Sequence, residues 1–123
     1  MNKDSIDKFV ENMNLLGEGT DINLYNRSID SAFERICGEL LKEQRGDKIW
    51  YDGTGDLSFE KISSQNLIFK GNMHVMEGQK RHWQEPFVAE VTFSSDPTDC
   101  NVLISCGEYK SSGNLYDTFG YTM

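Results

Sequence analysis

From Ser5 to Gly46 the apolar residues recur every three or four positions, and beyond Gly46 they alternate. Ile6, Phe9, Val10, Met13 and Leu16 form one helical stripe, with Ser5 placed to cap it and Gly17 to stop it. Asp7 falls in the first turn, where the helix dipole favours a negative charge. After the connector EGTDIN, a longer helix is predicted from about Leu24 to Gln44. Its stripe is Ile29, Phe33, Ile36, Cys37, Leu40 and Leu41, and Gly46 follows its end. Each helix has one apolar face to bury.

The alternating half reads as strands. Ile49 to Tyr51 is a short one, "DGTG" (Asp52 to Gly55) a turn, and Leu57 to Glu60 alternates again. Beyond "SSQN", the segments Leu67 to Met76, Arg81 to Phe93, Cys100 to Lys110 and Leu115 to Tyr121 complete a meander. Gly78, "SSDPTD" and "SSGN" connect them. Helices followed by strands specify an α+β fold: two N-terminal helices on one face of a curved antiparallel meander of about five strands. A single domain is expected over residues 1–123, helical over about 5–46 and sheet over about 48–122.

Polarity suggests a register, because a one-residue slip sends every side chain to the wrong face. Turning at Gly78 sets Met73 against Trp83, Phe69 against Phe87 and Leu67 against Ala89. Its other face then carries Asn72 with Gln84 and His74 with His82. The next hairpin aligns Val91 with Val102, Ala89 with Ile104 and Phe87 with Cys106. Phe59 would face Phe69, while Cys106 and Ile104 would face Phe119 and Tyr121. The expected helix-facing row is Phe59, Phe69, Phe87, Cys106 and Phe119.

Charge narrows the functional classes. Twenty acidic residues against twelve basic ones give a net charge of −8, which disfavours nucleic acid and anionic membranes and suits a basic protein partner. Solubility alone also accounts for such a charge. The start, MNKDSIDKFVENMNLL, lacks the apolar core of a signal peptide, and no run is long enough to span a membrane. The three cysteines, Cys37, Cys100 and Cys106, have no metal-site spacing and suit free thiols in a reducing cytoplasm. No cofactor or metal is implied.

The two histidines would meet on the outer sheet face. Their neighbours Asn72, Gln84, Met76 and Lys80 offer no carboxylate, so neither a metal site nor a catalytic histidine is expected. Lys80, Arg81 and Trp83 nevertheless make the nearby hairpin tip a possible contact surface. On the inner face the same register sets Glu85 beside Glu108 and Glu108 beside Asp117, an acid row at the open end of the sheet. Like charges so placed are kept for a bound cation, a protonated carboxyl or a basic partner. Pro86 weighs against the row, since proline marks strand starts and bulges. The preferred reading is that the strand ends splay and the acids stay apart. Glu43, Asp47, Asp52, Asp56 and Glu60 make the helix-to-sheet region acidic as well. The sequence has no phosphate-binding glycine loop, zinc-protease motif, paired C-x-x-C or nucleophile elbow, and no catalytic residue is assigned.

With its acidic amphipathic helices and aromatic meander, the chain resembles a bacterial immunity protein of contact-dependent or other polymorphic toxin systems. The resemblance rests on general character, with no diagnostic motif. It implies a cytoplasmic toxin inhibitor that binds a basic toxin nuclease and blocks its active site. The acids Asp52, Asp56, Glu85, Glu108 and Asp117 would then stand in for phosphates, with Trp83 or Tyr116 as an apolar anchor. The alternative is a small enzyme or ligand-binding domain, since the element order also resembles cystatin-like and NTF2-like folds with a pocket between helices and sheet. A third reading is an oligomer formed through the edge of the tail, Ser111 to Met123.

Overall fold

A computed structural model describes residues 3–121; the predicted sheet's last residue, 122, and the ends of the chain lie outside the described residues. The architecture is the expected one. Helices α1 (Lys3–Gly17) and α2 (Arg27–Leu40) lie on one face of an open antiparallel sheet ordered β1-β2-β3-β4-β5. The strands are β1 (Ile49–Ser63), β2 (Asn66–Glu77), β3 (Arg81–Thr92), β4 (Asn101–Cys106) and β5 (Tyr109–Asn114).

The α1 stripe, Ile6, Phe9, Val10, Met13 and Leu16, is buried as its spacing requires. Asn26 caps α2, its Oδ1 accepting from Ile29 N–H at 2.9 Å. The second helix is shorter than predicted. It ends at Leu40, and a separate turn, α3 (Lys42–Arg45), follows. Leu41 sits between them at φ −103° and ψ 0°, fully buried, and the break turns Arg45 toward the sheet.

Phe33 of α2 forms the centre of the core. Its ring meets Phe9, Phe69 and Phe87 edge-on, at centroid distances of 5.5, 5.1 and 5.1 Å. Burying each such ring contributes about 1.5–3 kcal/mol. The sheet supplies Leu67, Phe69, Met73 and Val75 from β2, Phe87, Ala89 and Val91 from β3, and Val102, Ile104 and Cys106 from β4.

The observed sheet corrects two predicted registers and one predicted turn. Across β2 and β3 the pairing is displaced by two residues: Phe69 faces Ala89, Met73 faces Glu85 and Val75 faces Trp83. An even displacement preserves the faces, so the predicted inner residues stay inside, but His74 faces Gln84 and His82 faces Met76. The β3–β4 register is as predicted, with Phe87 against Cys106. Phe59 also faces Phe69, with rings 5.9 Å apart, yet it is 38% exposed because it lies near the uncovered edge.

"DGTG" is not a turn. It lies inside one long strand, β1, whose register shifts between Tyr51 and Thr54 and again between Gly55 and Ser58. Gly53 at φ 98° and Asp56 at φ 52° take up the left-handed geometry of these bulges. Gly71 on β2 lies beneath them; a Cβ there would come within 2.7 Å of the Gly55 carbonyl oxygen.

The C-terminal reading also changes. The chain reverses at Gly107 (φ 61°) and Glu108, so Cys106 faces Tyr109 and Ile104 faces Ser111, rather than Phe119 and Tyr121. Leu115–Thr118 forms a helical turn, α4, capped by Asn114 Oδ1 on Asp117 N–H at 3.0 Å. Leu115, Thr118 and Phe119 are buried, at the spacing of a helix rather than a strand. Phe119 therefore joins the core from beyond the sheet.

Candidate functional site

Two places gather chemically distinctive side chains: the inner end of the sheet beneath α3, and the outer surface around Trp50.

At the inner end, Glu85 meets Arg45, and among the described residues no acid is paired with it. Two hydrogen bonds join them, from Arg45 Nη1 to Glu85 Oε1 at 2.6 Å and from Nη2 to Oε2 at 2.7 Å. Their side chains are 5% and 14% exposed. Trp83 Nε1 donates to Glu85 Oε2 at 2.7 Å, and the Cys106 thiol donates to Oε1 at 3.4 Å. The guanidinium lies 4.3 Å from the centroid of the Tyr109 ring and 5.9 Å from that of Tyr51. The hydrogen bonds from Arg45 hold the Glu85 carboxyl below its ordinary pKa despite burial. The Cys37 thiol is pushed up, first by its hydrogen bond with Cys106 and then by burial. This assembly fills the open end of the sheet and locks α3 onto it.

The predicted acid row therefore does not form. Glu108 is exposed in the β4–β5 turn and Asp117 is exposed on α4, so neither stands beside Glu85 on a neighbouring strand. The acids stay apart, as the preferred reading held. The causes are an arginine partner and a relocated last strand, however, and Pro86 lies within a continuous β2–β3 ladder. Trp83 is half-buried on the inner face, where it serves Glu85. Tyr116 is half-buried against the core, and burial raises its pKa.

On the other side, alternation along β1 turns Ile49 and Tyr51 inward and Trp50 outward, leaving Trp50 64% exposed. Two open clefts flank it. One is lined by Trp50, Tyr51, Asp52, Met76 and Gln79, the other by Asp47, Trp50, Glu77, Lys80 and Arg81. A third, lined on the outer face by Asp52, Met76, Gln84 and both histidines, reaches Trp83 only at its margin. His74 and His82 thus share a cleft without standing opposite each other.

Acidic side chains continue from Asp52 onto α2. Asp30 on α2 accepts from both Thr54 N–H (2.9 Å) and Thr54 Oγ1 (2.7 Å), which ties the helix to the β1 bulge. Glu34 lies one turn further on. Its pKa is raised, first by burial and then by the nearby charges of Asp30 and Asp52. Asp52 and Asp56 are both exposed, Asp52 beside Trp50 and Asp56 in the second bulge. Of the predicted site residues, then, only Asp52 lines these clefts with Trp83 at their margin; Trp50 is added. The period-two pattern of β1 carried that signal, because a tryptophan between two inward residues must face out.

Among the described residues no group of histidine, cysteine, aspartate and glutamate is arranged to hold a metal ion, and no helix is long and apolar enough to cross a membrane. Comparison with protein-family models, curated proteins and solved structures finds no match for the chain.

Proposed function

We propose that the protein binds a basic protein partner through the Trp50 surface and neutralises it, as an immunity protein blocking a toxin nuclease would. The observation that carries this reading is a 64% exposed tryptophan set between open clefts, with Asp47 and Asp52 in their lining, Glu77 bridged to Arg81, and Lys48 and Lys80 at the hairpin end. An exposed indole supplies an apolar anchor and a face for a cation, and Asp52 beside it offers a charge for a cationic partner. The net charge of −8 acts in the same sense at longer range. Glu85 is left out of the surface because Arg45 already neutralises it. Glu108 and Asp117 are exposed but do not line these clefts. The cysteines are free and buried, which agrees with a reducing cytoplasm. The space between helices and sheet is occupied by the phenylalanine cluster and the Arg45–Glu85 pair, which favours binding at the surface over a pocket enzyme.

The test uses the cationic partner captured with this protein from its native host. Calorimetric affinity and residual nuclease activity are measured at low and high salt. Trp50→Ala is expected to weaken binding at least about thirtyfold, the cost of losing a hot-spot residue. Asp52→Lys should slow association, and added salt should weaken the wild-type complex. Tight binding that ignores both substitutions and salt would reject this surface.

A further inference from the structure

Trp50 divides two clefts of unlike charge. On the hairpin side Glu77 and Arg81 are bridged at 3.4 Å, and the unbridged lysines Lys48 and Lys80 outnumber the unbridged acid, Asp47. On the other side Asp52 is the sole charged residue of the lining, and among the described residues no cation bridges it. Asp52 and Met76 also line the histidine cleft, so the two clefts adjoin at these residues. Met76 stands directly across from Trp50 on β2. Asp52 follows two residues after Trp50, about 7 Å away at the rise of a strand. Its charge is felt nearby: burial first, and then the charges of Asp30 and Asp52, raise the Glu34 carboxyl.

We propose, resting on the partner surface described above, that the group this surface takes from its partner is a single arginine. Its guanidinium lies on the Trp50 indole and directs two N–H groups at the Asp52 carboxylate, with its stem over Met76. A guanidinium is flat and weakly hydrated, so it can stack on a ring and bond a carboxylate through two nitrogens at once. An ammonium is a compact, strongly hydrated charge, and in clefts this open it keeps its water. The interior of the fold shows the same combination: Arg45 lies over Tyr109 while bonding Glu85 through both terminal nitrogens. One arginine fits better than a run of bases, because the next cation would meet Lys48 and Lys80 across the indole.

A proton NMR titration of the full chain with acetylated, amidated tripeptides tests this without a partner. The probes are Gly-Arg-Gly, Gly-Lys-Gly and Gly-citrulline-Gly, the last an uncharged isostere of arginine. The arginine peptide is expected to shift the Trp50 indole N–H signal, identified by its loss in Trp50→Phe, with half-saturation at about 1–30 mM. The lysine peptide should bind at least about threefold more weakly, and the citrulline peptide at least about tenfold more weakly. Asp52→Asn should weaken the arginine peptide at least about threefold, whereas Asp47→Asn, on the hairpin side, should leave it unchanged. No shift at about 100 mM overturns the proposal. So does a lysine or citrulline peptide that binds as well as arginine, an Asp52→Asn variant that binds it undiminished, or an Asp47→Asn variant that is equally impaired. The comparison of the three peptides on the wild type decides the matter whether or not the variants fold. Failure here overturns the arginine seat and leaves the partner surface standing, whereas a captured partner indifferent to Trp50→Ala rejects the surface itself.

Discussion

Replacing Glu85 by alanine leaves the Arg45 guanidinium in a site where its side chain is only 5% exposed, with no opposing charge. Breaking a buried pair by removing one partner costs about 3–5 kcal/mol, because the remaining ion keeps its desolvation penalty and loses its compensation. Trp83 and Cys106 also lose their acceptor. Both contribute little beyond this, since Trp83 is half-buried and can reach water and a thiol is a weak donor. For a chain of this size, about 4 kcal/mol lowers the melting temperature by about 16 °C. Urea unfolding followed by tryptophan fluorescence and far-UV circular dichroism measures the loss directly. The decisive comparison is the double substitution Arg45→Met with Glu85→Leu, which removes both ions and restores apolar contact. It should cost less than Arg45→Met and Glu85→Leu measured singly add up to, by about 1–3 kcal/mol. If Glu85→Ala costs under about 1 kcal/mol, or the two sites behave additively, the pair does not lock α3 to the sheet. The pH dependence has a definite sign. Since the folded carboxyl lies below its ordinary value of 4.5, its stabilisation is complete above that value and lost as pH falls through the lower folded value. The double variant should lack that share of the acid-side slope.

Glu34 behaves oppositely. Its folded pKa is raised, so ionisation costs stability above the folded value, and the cost is relieved as pH falls toward 4.5. Glu34→Gln should therefore stabilise the protein at neutral pH by a few tenths of a kcal/mol, as solvent screens a partly exposed group; the gain should vanish in acid, as thermal melts at two pH values will show. Gly71→Ala drives a methyl group against the backbone of the β1 bulges and should cost about 1–3 kcal/mol in urea unfolding. A neutral result would mean that β1 is not bulged above it.

The helices and inner faces were legible because burial enforces a period. The two-residue displacement of β2 on β3 was not, since parity is unchanged and polarity cannot distinguish the two registers. "DGTG" offered two glycines and an aspartate, which suit a turn or a pair of bulges equally; packing of α2 on β1 through Asp30 and Thr54 accompanies the bulged form. Leu115 to Phe119 was ambiguous for a related reason, as a short apolar segment fits a strand or one helical turn. The Arg45–Glu85 pair was hidden because its partners are forty residues apart and Arg45 reaches Glu85 only after the break at Leu41. The acid excess was visible in composition, whereas the exposed tryptophan required knowing which way β1 faces.

The strand order β1-β2-β3-β4-β5 has a consequence for how the chain matures. Every strand zips onto the one made just before it, so the sheet can grow by successive short closures, a topology of local contacts that favours rapid folding. Synthesis nevertheless delivers α1 and α2 first, each with a greasy side and no surface to lay it on. Until the ribosome has released β2 and β3, those sides have only each other, which makes the newborn N-terminal half the stage most open to chaperones.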